Sequence, residues 1–294
     1  MFQPILADTY EEHPKVQWPL WCTPKHDGVR GLVVGGQLVS RKLEPIPNKQ
    51  IAARISLLGD GVDGEIVTYT DDKPDDYNTV QSKVMSEEGN PEFTYHVFDY
   101  FMEPELPYFE RVGIIQRIGQ VYSHLDWIRV DNPEIVHSHE TAREYHDWLV
   151  KHGCEGIILR NPKLPYLHGR SCQFYRGTFV GGMLKMVDYS TDEGTLVGLK
   201  QKFTNTNPME RSKTGSAKRS SAKAGKVPVE AAGALEISWN GLRFNLTCAD
   251  HDLAAEYWRR GESAFGAKIT FKYRGVGTNG KPRFASFLGE RKDI

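Results

Sequence analysis

Hydrophobic and polar residues in the first two thirds of the chain repeat with two different periods. The apolar segments that predict β-strands are GLVVGGQLVS, VDGEIVTY, FTYHVFDYF and EGIILR. The Gly35-Gly36 pair inside the first segment predicts a tight turn between two strands. Because strands and helices do not alternate regularly, the pattern favours an α+β fold over a doubly wound parallel sheet.

Three other segments place apolar residues on one helical face and predict helices. These faces are Ile51, Ile55 and Leu58; Val112, Ile115, Tyr122 and Leu125; and Ala142, Tyr145, Trp148 and Leu149. Gly153 follows the third face, at a position where a glycine commonly ends a helix.

The pattern changes near residue 188, which predicts one domain of residues 1–188 and a second of residues 189–294. In the second, TLVGLK, GALEISW, LRFNLTC and KITFKYRGV predict short strands, and DHDLAAEYWRRG predicts a helix with Asp250 as its N-cap. This set favours a small β-barrel of the oligonucleotide-binding (OB) type. An insert at about 203–228 is rich in Ser, Lys and Arg and nearly free of apolar residues, so we expect no regular structure there.

The composition, 39% hydrophobic and 26% charged, is that of a globular protein. Its four scattered cysteines, without a Cys-x-x-Cys pair, argue against a disulfide framework or a cysteine-rich zinc site. No segment has the pattern of a membrane span or a signal peptide, so we expect a cytoplasmic protein without a membrane partner.

Charge is distributed unevenly along the chain. Residues 1–198 carry 19 Lys/Arg against 29 Asp/Glu, a net −10, whereas residues 199–294 carry 18 against 9, a net +9. This asymmetry indicates that the C-terminal part contacts a polyanion.

The first candidate for chemistry is KHDGVR, residues 25–30, which leads into an apolar strand. A lysine amine is a nucleophile only when deprotonated, and loss of solvent or a nearby cation such as Arg30 favours that form. An amine that attacks phosphorus can hold a nucleotide covalently as a phosphoramidate. Taken alone, the motif fits a solvated polar turn equally well.

Four later residues strengthen the first interpretation. They are Glu65 in VDGEIV, Phe98 in VFDYF, Glu155 in CEGIILR and Lys185 in MLKMVDY. Each alone has an ordinary structural explanation, such as a solvent-facing carboxylate or a core aromatic ring. Together with Lys25, each in a strand-like segment, they predict a site for a nucleotide and a metal ion.

The ordered series KHDGVR, DGE (63–65), FDY (98–100), EGI (155–157) and LK (184–185) resembles the motifs of the covalent nucleotidyltransferase superfamily. Arg30, Arg41 and the basic insert make the chain most similar to the ATP-dependent DNA ligases of the minimal, two-domain viral type. The resemblance implies an N-terminal nucleotidyltransferase (adenylation) domain of antiparallel sheets with flanking helices, followed by an OB-fold β-barrel. It also implies that the insert is a latch that wraps around duplex DNA.

The resemblance further implies a role for each matching residue. Lys25 would attack ATP and carry AMP covalently, and Lys185 would hold the α-phosphate and assist. Glu155 would bind Mg²⁺, with Mn²⁺ as an alternative, and Glu65 would contact the ribose or support the metal. Phe98 would stack on adenine, and the remaining nucleotide contacts would come from Thr23, Arg30 and Arg176.

The implied partner is nicked duplex DNA, bound by a monomer that encircles it. Arg30 and Arg41 would grip the 5′-phosphate of the nick. The latch residues implied to contact the duplex backbone are Lys213, Lys218, Arg219 and Lys223. Arg283 and Arg291 lie in a loose match to the family's last motif, which orients pyrophosphate.

The chain departs from the family pattern at Val187, where a second lysine is usual, so one phosphate-neutralising charge is missing. An RNA ligase or an mRNA guanylyltransferase is the nearest alternative function, against which Arg30, Arg41 and the insert argue. An NAD-dependent ligase is disfavoured because its cysteine zinc site is absent from the sequence. A DNA-binding clamp without catalysis is the alternative from another class, and Val187 is the feature in its favour.

Overall fold

The computed structural model describes residues 2–10, 16–169, 174–175, 178–179, 182–211, 217–248 and 250–291. The chain forms two compact units, of which the first ends at Val187 and the second begins at Asp188. The predicted α+β class is confirmed. Among the described residues, no helix is both long and apolar enough to cross a membrane.

Within its described residues, the first unit contains two main sheets and four α-helices. Its elements are β1 (Asp8–Thr9), β2 (Leu20–Lys25), β3 (Val29–Val34), β4 (Gln37–Ser40), α1 (Lys49–Ser56), β5 (Val62–Thr70), β6 (Lys73–Pro74), α2 (Tyr77–Val84), β7 (Phe93–Tyr100), α3 (Tyr108–Val121), β8 (Ile128–Val130), β9 (Glu134–Val136), α4 (His139–Lys151), β10 (Gly156–Arg160), β11 (Phe174–Tyr175), β12 (Thr178–Phe179) and β13 (Met183–Val187). Sheet A has the order β1-β13-β10-β2-β9, and sheet B has the order β4-β3-β5-β7-β8, with β6 beside β5. Only the β1–β13 and β7–β8 pairs of these two sheets are parallel.

Sheets A and B face each other across a buried apolar layer. Leu32 and Val39 of sheet B pack there with Ile158 and Met183 of sheet A. Helices α1, α2 and α3 cover the opposite face of sheet B, and α4 covers sheet A. This shared apolar layer fixes the facing strands of sheets A and B relative to each other.

The predicted hairpin and helices are present. Helix α1 ends at Ser56 and α3 at Val121, so Leu58, Tyr122 and Leu125 pack against the core from beyond the helix ends, and α4 contains one further error. Gly35 and Gly36 adopt φ values of +59° and +73° in the β3–β4 turn. In α4, Trp148 is 52% exposed and does not belong to the apolar face, whereas His146 is fully buried. Ala142, His146 and Leu149 are the buried residues of this helix, so its core face includes the polar side chain of His146 and leaves Trp148 outside.

The described part of the second unit is built around one five-stranded sheet. Its elements are β14 (Ser190–Asn205), β15 (Met209–Arg211), β16 (Ala217–Arg219), β17 (Lys226–Trp239), β18 (Leu242–Leu246), α5 (His251–Arg260), β19 (Lys268–Tyr273) and β20 (Ser286–Glu290). Sheet C has the order β18-β17-β14-β19-β20. A single bridge between Thr247 and Ser286 connects its two edges, so the predicted OB architecture is present as a sheet that is not closed into a complete barrel. The side chain of Asp250 accepts hydrogen bonds from the first turn of α5, as predicted for an N-cap.

The expectation that the insert lacks regular structure was wrong. Strands β14 and β17 remain paired as far as Asn205 and Lys226, and β15 pairs with β16. The ladder is stabilised by backbone hydrogen bonds and by Asn207, whose buried side chain donates to the carbonyls of Ser220 and Ala222. We call the described residues 203–211 and 217–228 the basic ribbon.

Candidate active site

Lys25 and Glu155 are in direct contact in sheet A. Lys25 is the last residue of β2 and lies opposite Gly156, the first residue of β10. The backbone N–H of Glu155 donates to the Lys25 carbonyl over 2.8 Å, and the Lys25 Nζ donates to the Glu155 carboxylate. Both side chains are partly accessible, with 23% of Lys25 and 15% of Glu155 exposed. The predicted nucleophile and the predicted metal ligand thus share one polar cluster.

Gly156 makes this contact possible. Its φ is +152°, and a Cβ atom there would lie 2.2 Å from the backbone carbonyl oxygen of Met186. Only glycine allows β10 to approach β13 so closely while the preceding Glu155 reaches back to Lys25.

The register of sheet A also locates Lys185 and Val187. Two rows of cross-strand neighbours are Thr23–Ile158–Lys185 and Lys25–Gly156–Val187. Since cross-strand neighbours point to the same face, the half-buried Lys185 lies on the face that carries Lys25. Thr23 and Val187 are 3% and 2% exposed, so both lie beneath this surface. Val187 presents an apolar side chain in the row where the family usually has a cation.

Glu65 enters the site from sheet B. It is half-buried in β5, between Arg30 of β3 and His96 of β7 in the cross-strand register. Burial raises the pKa of Glu65 to about 7, although the positive charges of Lys25 and Arg30 oppose this shift. The site therefore contains one carboxylate that changes charge near neutral pH.

Phe98 lies at a bulge in β7. Asp63 pairs with Asp99 and Gly64 pairs with Val97, so Phe98 is the extra residue on its strand. A bulge redirects a side chain and recurs beside active sites. The guanidinium carbon of Arg30 lies 5.4 Å from the centre of the half-buried Phe98 ring. Arg30, the cross-strand neighbour of Glu65, therefore makes a cation–π contact with the Phe98 ring.

The guanidinium group of Arg30 donates hydrogen bonds to the side chain of Asp63 and to the backbone of Ile5. Its Nε donates to Asp63 over 2.8 Å, and its Nη1 donates to the backbone carbonyl of Ile5 over 2.6 Å. The hydroxyl of Tyr166 donates to the same Asp63 carboxylate over 3.0 Å. These contacts favour a role in holding Asp63 and Phe98 in place, while the DNA contact of Arg30 stays a prediction.

A second buried ion network lies beneath the site and was not predicted from the sequence. Asp99 is fully buried and accepts hydrogen bonds from Arg111 of α3 and from Arg160 of β10. Burial opposes ionisation of Asp99, but the two guanidinium groups outweigh it and lower its pKa. Arg160 also lies 5.4 Å from the Phe98 ring centre, so this network links both sheets to the aromatic residue. The sequence feature that could have indicated this network is the presence of charged residues, Asp99 and Arg160, within otherwise apolar strand segments.

The other predicted residues belong to other elements. Arg41 is exposed in the turn after β4, at the edge of sheet B. Lys218, Arg219 and Lys223 are exposed on the basic ribbon of the second unit. Arg176 and Lys213 lie outside the described residues, so their predicted contacts with ATP and DNA are not tested. Arg283 and Arg291 belong to the second unit, where Arg291 pairs with Glu193 at 3.0 Å.

Glu155 and Glu65 are the residues that would hold a divalent cation. Mg²⁺ is commonly bound through one or two carboxylates and substrate phosphates, and carboxylate ligands also suit Mn²⁺. Glu155 already neutralises one cation, Lys25, and burial favours the neutral form of Glu65. A divalent cation would supply positive charge to both carboxylates, so the donor set fits this group of metals.

Comparisons with known proteins agree with this arrangement. A family model of the ATP-dependent DNA ligase domain matches residues 4–175, and a model of the DNA ligase OB-like domain matches residues 225–291. A DNA ligase of Haemophilus influenzae is 24% identical over 298 residues, covering 98% of this chain and 92% of that protein.

Solved structures are similar over the whole chain. The Chlorella virus DNA ligase-adenylate is 27% identical with a TM-score of 0.56, covering 100% of this chain and 99% of that one. A structure from a structure–function study of Lig E DNA ligases shares the fold with a TM-score of 0.71 at 20% identity, covering 99% of this chain and 100% of that one. Since the first family model alone spans more than half of the sequence, and the second matches the unit built on sheet C, the chain belongs to the ATP-dependent DNA ligase family.

Proposed function

We propose that this ligase seals nicks in duplex DNA through a covalent AMP adduct on Lys25. The observation that carries the proposal is the position of Lys25 at the end of β2, against Glu155 and within the electrostatic reach of Glu65. A partly accessible amine among groups suited to nucleotide phosphates and a divalent cation is what the first chemical step requires.

The reaction would proceed in three balanced transfers. The Lys25 Nζ loses a proton and forms a bond to the α-phosphorus of ATP, and pyrophosphate leaves. A 5′-phosphate oxygen at the nick then attacks the adduct, and the phosphorus–nitrogen bond to Lys25 breaks. Finally the 3′-hydroxyl attacks the activated 5′-phosphorus, which closes the strand and releases AMP.

The described residues divide this work between them. Glu155 lies within hydrogen-bond reach of the amine and is the candidate to accept its proton. Lys185, on the same face of sheet A, would hold the α-phosphate, and Phe98 would stack on adenine. Mg²⁺ bound by Glu155 and Glu65 would offset phosphate charge during transfer.

The second unit would supply most of the DNA contact. The exposed cations of the basic ribbon suit sequence-independent binding of phosphates. Arg41, exposed at the edge of sheet B, would contact the 5′-phosphate of the nick. We also propose that the enzyme acts as a monomer that encircles the duplex. It would work in the cytoplasm, where ATP and DNA are present.

The direct test is the intact mass of the full chain. The protein is first treated with pyrophosphate to reverse any existing adenylylation, then incubated with Mg²⁺ and either ATP or GTP. We expect a mass increase of one adenylate on the wild type with ATP, and none on Lys25→Ala or with GTP. The adenylylated protein should then seal a nicked duplex in the absence of further ATP.

Two results would contradict the proposal. An adduct that persists on Lys25→Ala would move the nucleophile to another residue. No adduct on folded wild-type protein would remove the first step and favour the clamp without catalysis.

A further inference from the structure

Three polar side chains next to the nucleophile form a separate cluster. His26 directly follows Lys25, His96 lies in β7, and Asp131 lies immediately after β8. His26 Nε2 is 3.0 Å from Asp131 Oδ2, and His96 Nδ1 is 3.2 Å from Asp131 Oδ1. The two imidazole rings stack, with their centres 3.8 Å apart. None of these three residues has a role in the resemblance or in the proposed function.

The donor set differs from that of Glu155 and Glu65. Two imidazole nitrogens and one carboxylate oxygen suit Zn²⁺ and other divalent transition metals, whereas Mg²⁺ prefers oxygen ligands. The candidate ligand atoms of the three side chains all lie within 4.8 Å of one another. A tetrahedral Zn²⁺ with bonds of about 2.0–2.1 Å separates its ligands by about 3.3 Å, and each imidazole nitrogen lies at about this distance from a different oxygen of the Asp131 carboxylate.

Burial and accessibility also fit a metal site. Asp131 is 7% exposed, and the side chains of His26 and His96 are 13% and 16% exposed. An ion could therefore enter while remaining partly shielded, and water could occupy its open coordination position. Burial lowers the pKa of His96, which favours the neutral imidazole that binds metals.

We propose that His26, His96 and Asp131 bind one divalent transition-metal ion, with Zn²⁺ as the first choice, beside the adenylylation site. The ion would join the end of β2 in sheet A to β7 and β8 in sheet B. It would thereby hold the peptide that carries Lys25 against the facing sheet. A hydrogen-bonded trio without metal explains the same distances, so the experiment must separate these two states.

The experiment measures metal binding by the full chain without ATP or DNA, so its outcome does not depend on the proposed function. The protein is stripped with EDTA, reduced, and titrated with Zn²⁺ by calorimetry in the presence of excess Mg²⁺. We expect one Zn²⁺ per chain, and a loss of affinity of more than about tenfold in each of His26→Ala, His96→Ala and Asp131→Asn. Zn²⁺ should also raise the melting temperature of the wild type and not of these variants.

Two matched controls define specificity. His124→Ala removes an exposed histidine outside the cluster, and Cys154→Ser removes a thiol whose pKa is raised by burial and by the charge of the nearby Asp131. Both should bind Zn²⁺ as the wild type does. With Co²⁺ in place of Zn²⁺, the wild-type visible spectrum should show nitrogen and oxygen ligands without a thiolate charge-transfer band.

Several outcomes would overturn the proposal. These are the absence of Zn²⁺ binding by the wild type, equal affinity in the cluster variants, and loss of binding in Cys154→Ser. Circular dichroism of each metal-free variant establishes that it is folded. Should His96→Ala fail to fold, Asp131→Asn and the wild-type Co²⁺ spectrum still decide the question.

Discussion

Lys25 lies among two carboxylates in different environments. Glu155 contacts the amine directly. Glu65 approaches from sheet B, and burial raises its pKa to about 7. The difference matters because a carboxylate binds Mg²⁺ or a ribose hydroxyl most strongly when it is ionised. We therefore expect the charge state of Glu65 to limit metal and nucleotide binding by the free enzyme near neutral pH.

The raised pKa of Glu65 predicts a pH dependence for the first step. The pKa of Glu65 is raised to about 7, so Glu65 is protonated below that pH and ionised above it. We expect kcat/KM for Lys25–AMP formation, which reports the free enzyme, to rise as the pH increases through about 7. Glu65→Gln should be slower and should lose this limb of the profile, as measured by rapid quench at limiting ATP.

The control for this prediction is Glu110→Gln, an exposed position on α3. Its profile should overlay that of the wild type. An unchanged limb near pH 7 in folded Glu65→Gln would assign the titration to another group, such as the amine itself.

At the level of elements, the position of Glu155 depends on the contact between β10 and β13. Gly156→Ala would place its Cβ against the carbonyl of Met186 in a backbone conformation that L-residues rarely adopt. We expect a loss of about 2–3 kcal/mol in the free energy of unfolding of the first unit, together with slower adenylylation. Urea unfolding followed by tryptophan fluorescence measures the first effect.

The matched substitution is Gly113→Ala in α3, where an added Cβ meets no atom within 4 Å. Alanine is the better helix former, so this variant should gain about 0.5–1 kcal/mol. Equal changes in the free energy of unfolding at the two glycines would show that the close approach of β10 to β13 contributes nothing to stability.

The elements show which parts of the fold a single sequence can predict. Ile51 and Ile55 of α1 and the Gly35-Gly36 turn follow local periodicity and turn chemistry, and they were predicted. Trp148 was misplaced because apolar character alone does not distinguish a core position from an exposed aromatic. The basic ribbon was missed because backbone pairing and the side chain of Asn207 stabilise it without an apolar core.

The same distinction applies to the candidate site. Lys25 and Glu155 lie in short motifs with a characteristic order, so resemblance identified them and the structure shows them in contact. The network of Asp99, Arg111 and Arg160 joins positions distant in sequence and could not be located without the pairing of strands and helices. Local pattern thus located the candidate reacting groups better than the residues that support them.

At the scale of the whole molecule, the charge asymmetry favours a polyanion contact in the second unit, whose residues 188–294 carry 18 Lys/Arg against 12 Asp/Glu, a net +6. The net charge is −10 for residues 1–198 and +9 for residues 199–294. Among the ribbon cations, Arg219 donates to the backbone carbonyl of Asn207 and helps to hold the ribbon. Lys218, Lys223 and Lys226 are exposed and are the better probes of DNA binding.

Replacing these three lysines with alanine tests that assignment. Each phosphate contact contributes about 0.9 to the slope of log K against log salt concentration, so we expect the slope to fall by about two to three. Affinity for a nicked duplex, measured by fluorescence anisotropy over a series of salt concentrations, should fall most at low salt. Formation of Lys25–AMP in the absence of DNA should stay unchanged, because the ribbon lies in the unit that does not carry Lys25.

A triple variant of the first unit separates the effect of position from that of net charge. Lys73, Lys151 and Lys163 are exposed, and their replacement by alanine removes the same total charge. If DNA binding depends on the local field of the ribbon, this variant should retain nearly the wild-type salt slope, since separated exposed charges are screened within about 10 Å at 0.1 M salt. Equal losses in the two triple variants would mean that overall charge attracts the duplex, and the ribbon would then have no special part in holding it.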